Sequence, residues 1–251
     1  MPLTLVQQAS TASSADGATL TAALGAAPST GNLLILVANA DTTIGTPSGW
    51  TLAVSAVDTT GLYLWWRVAR AGDPATVTIS LSSARSAQMV VMEYSGQAAQ
   101  PLDEVASSTP GGTGQTSVTT GATGETGQGD ELAVVAAGRF DASAGSSVTW
   151  SAGYVPVASL VSSGSAVNDA LYVAARALVA VGACSATATF DAGTSHPGGL
   201  IATFRADVAA APSRGVMAPA AHAVGSMAGS VGSGASMVGA AGSGATMIGG
   251  G

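Results

Sequence analysis

Two eight-residue stretches decide how this chain is read: "LYLWWRVA" at 62–69 and "LYVAARAL" at 171–178. The second, rich in Ala, Leu and Arg, passes for a helix on propensity alone. The first does not, because Tyr63, Trp65, Trp66 and Val68 are the aromatic and β-branched types that suit a pleated strand. The two stretches hold matching places in a longer pattern, so the strand reading of the first carries over to the second.

That pattern runs through both halves of the chain. "GNLLILV" from Gly31 answers "GDELAVV" from Gly129, Trp50 answers Trp150, "TVTISL" answers "ATATF", and "VVMEYSG" answers "LIATFRA". The spacings from Tyr63 to Tyr94 and from Tyr172 to Phe204 differ by one residue. Self-similarity of this kind is the mark of an internal repeat. The other runs, among them "WTLAVSAV", "ATVTISLS" and "GGLIATFRA", are short, apolar or alternating, and bounded by Gly, Pro, Asp or Ser. That spacing predicts an all-β fold, a jelly-roll-like β-sandwich over 1–206 built from repeats at about 18–96 and 119–206. The stretch 97–128 reads as decoration between the halves of one integrated domain, although it contains strand-like "TSVTTGAT". Leu33, Leu34, Ile35, Leu36, Trp50 and Val77, with Leu132, Val134 and Trp150, are the expected core.

Beyond residue 206 the composition turns to Ala, Gly, Ser, Pro and Met, and Met217, Met227, Met237 and Met247 recur every ten residues. An even spacing puts all four on one face of an extended strand, whereas in a helix it rotates each by about 80° from the last. The stretch 207–251 is therefore read as a low-complexity assembly tail. Met227, Met237 and Met247 are expected to fill apolar grooves between neighbouring chains, since flexible thioethers suit irregular gaps. The same composition also fits a disordered tail.

Only 8% of the residues are charged and the net charge is -7, with seven Arg and no Lys. Nucleic acid is not an expected partner, because no basic patch can form. No run of about 18 apolar residues occurs, so no membrane partner is expected either. The start of the chain lacks the basic and apolar regions of a secretion signal. Cys184 stands alone and reads as a small buried apolar residue.

The search for chemistry returns little. His196 and His222 lack companion ligands, and there is no G-x-S-x-G or H-E-x-x-H. Asp103 with Glu104, and Asp130 with Glu131, are neighbours in sequence that a strand turns to opposite faces. Asp141 in "FDASAG" and Asp191 in "FDAGTS" lack the dense spacing of a calcium loop. No enzymatic activity and no cofactor are expected.

The aromatic strand is more informative. Tyr63, Trp65 and Arg67 share one face of it, and Tyr, Trp and Arg are enriched at protein interfaces. Three readings stand: this face is an interface, it is a strip on which sugar rings stack, or it is buried, with Arg67 paired to Glu93.

The "GNLL" strand, the "PSGWT" turn, "LYLWWRVARAGDP" and the closing "EYSG" together resemble a module of the minor tail proteins of phages that infect high-GC actinobacteria. The likeness covers roughly 31–96 well and the second half more loosely, and it leaves out the Met repeat. It implies an all-β, multicopy, non-enzymatic virion protein, assembled in the host cytoplasm, whose partners are other virion proteins and copies of itself. A capsid decoration protein is the nearest variant. A module that recognises host cell-wall glycan is the alternative from a different class.

Overall fold

"LLILVANA" in strand β3 (Leu33–Ala40) is buried at every residue. A strand with no solvent face must have a layer on each side of it. The computed structural model, which describes residues 2–58, 60–140, 142, 146–163 and 168–207, supplies both layers. The chain divides into Met1–Ala211 and Pro212–Gly251, and every described residue lies in the first. Met227, Met237, Met247, His222 and Asp141 lie outside the described residues.

The fold is all-β, with antiparallel sheets and no helix among the described residues. β3 is the middle of a five-stranded sheet with β1 (Thr4–Ala12), β7 (Ala87–Ser95), β5 (Gly61–Val68) and β4 (Thr51–Val57), in the order β1-β7-β3-β5-β4. One face of this sheet carries Leu34, Leu36, Tyr63, Trp65, Met89 and Val91. They pack against Ala22, Val77, Ile79 and Leu81 from a ribbon of β2 (Gly17–Ala23) and β6 (Thr76–Arg85). In β6 the apolar residues alternate with exposed Thr and Ser, as a strand with one wet face requires.

The opposite face carries Leu33, Ile35, Val37, Leu62, Leu64 and Met92, and it packs on a second large sheet. That sheet contributes Leu132, Val134, Leu171, Val173, Leu200 and Phe204 to the shared core. Its strands are β8 (Gln97–Ser108), β14 (Thr187–Ala206), β10 (Asp130–Phe140), β13 (Ala170–Val179) and β12 (Val155–Val161). Burying each Leu, Ile or Phe here contributes roughly 1.5 to 3 kcal/mol.

β14 is long enough to serve two layers. Its second part pairs with β8 and β10, and its first part pairs with β9 (Gln115–Thr119) and β11 (Val148–Trp150). The first part brings Ala188 and Phe190, with Val118 from β9, over Tyr172 on the outer face of the second sheet. A Cβ on Gly199 would lie 2.5 Å from the Thr119 carbonyl oxygen, so glycine is what lets β9 approach β14 so closely.

The strands expected around residues 31–96 and 130–206 form, and "ALYVAARALV" is strand β13. The expected core is buried at Leu33, Leu34, Ile35, Leu36, Trp50, Val77, Leu132 and Val134, and Trp150 packs at its margin. One expectation is corrected: residues 97–108 are a full strand of the second sheet, not decoration. Their burial alternates only loosely, so they show no clean period of two. A second correction concerns Trp150, which lies in β11 opposite Ala188. It is Tyr154 that directly precedes β12, as Trp50 directly precedes β4.

Candidate functional site

Tyr63 and Trp65 point the same way from β5 and stack, with ring centroids 5.1 Å apart and planes 13° from parallel. Trp65 is fully buried and Tyr63 nearly so, because the β2–β6 ribbon covers this face. The Trp65 indole donates to Thr46 Oγ1 at 3.3 Å. The interface expected of these two rings is therefore a contact inside the chain. Neither ring offers a face on which a sugar could stack.

Arg67, the third member of that face, lies at the end of the strand beyond the ribbon's cover. Its Nη2 pairs with Asp73 Oδ2 at 2.7 Å, and its guanidinium sits 5.2 Å from the centroid of the Trp50 ring. The expected pair with Glu93 does not form. Gly49, with φ of 79°, lets the "PSGWT" turn pass close to Arg67, and the Trp50 N–H closes that turn on the Pro47 carbonyl at 3.1 Å. Arg67 thus separates two surface clefts, one of about 340 Å³ beside Trp66, Arg70 and Gln100, the other of about 310 Å³ beside Pro47, Trp50 and Thr76.

In the second sheet Arg176 lies 5.7 Å from the centroid of the Tyr154 ring. Gly153, with φ of 90°, passes close to Arg176, and the Tyr154 N–H bonds the Ser151 carbonyl at 3.4 Å. A cleft of about 310 Å³ opens beside Arg176, lined by Leu5, Gln8, Tyr94, Val155 and Val157.

Glu93 is buried and accepts from Gln7 Nε2 at 2.5 Å, Asn32 Nδ2 at 2.6 Å and the Ser29 N–H at 2.8 Å. Burial works against the charge, but these three donors more than offset it and hold the carboxyl below the usual range. This ring of donors ties β1, β7 and the turn before β3 together, and it leaves the carboxylate no free side for chemistry.

The second sheet holds its carboxylates differently. Glu131 of β10 is buried beside the Thr203 hydroxyl, the Gln128 backbone and the Asp103 carboxyl. Burial first, and then the neighbouring Asp103 carboxyl, push it up to about 7. Asp103 of β8 is engaged by Arg205 of β14 and by the Gly127 N–H at 2.6 Å. Asp103 and Glu131 belong to strands distant in the chain, so their meeting has no local sequence signature. Two carboxyls side by side resemble an acid–base pair, but Glu131 is buried, with only 3% of its surface exposed.

The remaining groups pair locally. His196 Nδ1 meets Asp58 Oδ2 at 2.8 Å, and buried Arg139 meets Asp191 Oδ1 at 3.0 Å beneath the Phe190 ring. Cys184 is half-buried, and burial pushes its thiol up, away from the reactive thiolate. Among the described residues no three His, Cys, Asp or Glu side chains gather to hold a metal, and no helix is long and apolar enough to cross a membrane. No family model, no curated protein and no solved structure matches this chain.

Proposed function

We propose that this chain is a structural component of a bacteriophage virion, a tail or tail-tip protein that works by assembly with copies of itself and with other virion proteins. The observation that carries the reading is a recurring architecture behind the resemblance at 31–96. The order β1-β7-β3-β5-β4 with the β2–β6 ribbon is repeated as β8-β14-β10-β13-β12, with β9 and the first part of β14 in the place of the ribbon. On this reading each copy is a jelly-roll-like unit, and the two meet through the faces of their large sheets.

Details below the level of strand order favour the same duplication. The outermost strands β4 and β12 each carry a bulge after their second residue, between Leu52 and Val54 and between Pro156 and Ala158. Bulges are retained features, not accidents. The Arg67–Trp50 and Arg176–Tyr154 stacks stand on equivalent turns. In this register Trp50 answers Tyr154, not Trp150, and Leu33 answers Leu132, since each faces residues near the ends of its two neighbouring strands, Val68 and Tyr94 or Ala177 and Phe204.

A doubled, weakly charged scaffold with its carboxylates locked in place suits a building block better than a catalyst. The glycan reading loses its observation with Tyr63 and Trp65 covered. The test is electron microscopy of purified particles with an antibody against residues 1–206. Label at the tail supports the reading, label over the shell makes the protein a capsid decoration, and particles without the chain overturn it.

A further inference from the structure

The four outermost strands of the two large sheets, β1, β4, β8 and β12, are not equally protected. An edge strand presents unpaired N–H and C=O groups that invite another strand, and proteins guard such edges with charges, proline or a covering segment. β8 carries Pro101, Asp103 and Glu104. β12 carries Pro156, and the Gln8 amide donates to its Val157 carbonyl at 3.3 Å. At β1 the Gln7 side chain holds both the N–H and the C=O of Ala26, and the Ser163 N–H bonds the Ser13 carbonyl where the strand ends.

β4 has fewer guards: the Asp58–His196 pair stands just past its end, and nothing comparable lies within the strand. Its sequence "TLAVSAV" contains no charge and no proline, and no strand pairs with its outer edge among the described residues. Leu52 is 44% exposed and Val57 is 53% exposed beside that edge.

We propose that β4 is a self-pairing edge, at which two copies of this chain join their five-stranded sheets antiparallel about a two-fold axis. The occupant is a second copy because β4 is complementary to itself. With the axis at Ser55, Val54 of one copy lies opposite Ala56 of the other, and both point to the face that packs on the second sheet. Ser55 meets Ser55 on the opposite face, and no charge confronts a like charge at any position. The bulge between Leu52 and Val54 limits the flat edge to a few residues. Such a short ladder is strengthened where an assembly holds copies close together, and between free chains it is read at high protein concentration.

The inference extends the virion reading without needing it. Its test uses the full chain. In a Cys184→Ser background, Ser55→Cys is expected to give a disulfide-linked dimer under mild oxidation, while Val155→Cys on β12 gives none. In sedimentation, Ser55→Lys should weaken self-association at least roughly tenfold by setting two cations face to face, and an equal mixture of Ser55→Lys and Ser55→Glu chains should restore it. Circular dichroism matching the parent chain confirms that each variant is folded; if the lysine variant is not, the cysteine pair decides alone. Failure of Ser55→Cys to cross-link, or sedimentation of folded Ser55→Lys unchanged from the parent, overturns the proposal. Either result leaves the virion reading standing, whereas absence of the chain from particles removes that reading and not this one.

Discussion

Arg67 lies over the ring of Trp50, its guanidinium carbon 5.2 Å from the ring centroid, while the same group holds Asp73 at 2.7 Å. One side chain thus fastens β5 to the turn before β4 and to the turn before β6. Arg67→Ala removes both contacts and uncovers an indole, so it should cost about 1 to 3 kcal/mol in urea unfolding. Arg67→Lys keeps a charge for Asp73 but not the flat stack on Trp50, so it should fall between. Equal unfolding midpoints for all three proteins would refute this account of the turn.

Glu93 should make the fold sensitive to acid. Its folded value lies below the ordinary 4.5, so its stabilisation is present above that range and is lost as the pH falls through the folded value. Glu93→Gln turns an amide donor toward groups that already donate, and it should cost roughly 1 to 3 kcal/mol at neutral pH. The acid limb of the stability profile should be shallower in the variant, as denaturant midpoints taken from neutral pH downward would reveal.

Glu131 should act in the opposite sense. Its folded value, near 7, is above the ordinary 4.5, so the folded chain holds the proton more tightly than the unfolded one. Its contribution is best on the acid side and declines as the pH rises from 4.5 toward 7. Glu131→Gln keeps the neutral shape and drops the titration. The variant should therefore gain on the parent protein as the pH rises, and a constant difference across that window would count against the buried carboxyl pair.

Two glycines offer a steric contrast. A Cβ at Gly199 would meet the Thr119 carbonyl oxygen at 2.5 Å, whereas at Gly45 the nearest group, the Ser80 carbonyl, is an ordinary 3.7 Å away. Gly199→Ala must push β9 from β14 and should cost about 1 to 3 kcal/mol, while Gly45→Ala should be close to neutral. Thermal unfolding of the two variants side by side measures the difference.

The parts of the fold that were legible in the sequence are its central strands. β3, β7 and β10 are buried on both faces, so their apolar runs are continuous and stand out from the Ser- and Thr-rich background. Edge strands such as β1, "TLVQQASTA", carry no such signal, because their pairing satisfies backbone groups without demanding apolar side chains. Alternation along "LYLWWRVA" correctly grouped Tyr63, Trp65 and Arg67 on one face, yet it could not say what lies over that face. The cover comes from β2 and β6, far away in the chain. Asp103 and Glu131 were invisible as a pair for a similar reason: they meet only because β14 lies between their strands.

β14 also determines how the molecule bears a load. From Gly199 to Ala206 it is hydrogen-bonded to β8 on one side and to β10 on the other, and the Asp207 N–H adds a bond to the Gly96 carbonyl at 2.7 Å. Tension applied along the chain at Asp207 is shared by two ladders at once. Tension applied at Thr4 meets one ladder, since the only strand that pairs with the β1 backbone among the described residues is β7. The protein is thus a stronger mechanical anchor at the end of β14 than at the start of β1, with the firmer grip where the chain runs on toward residue 251.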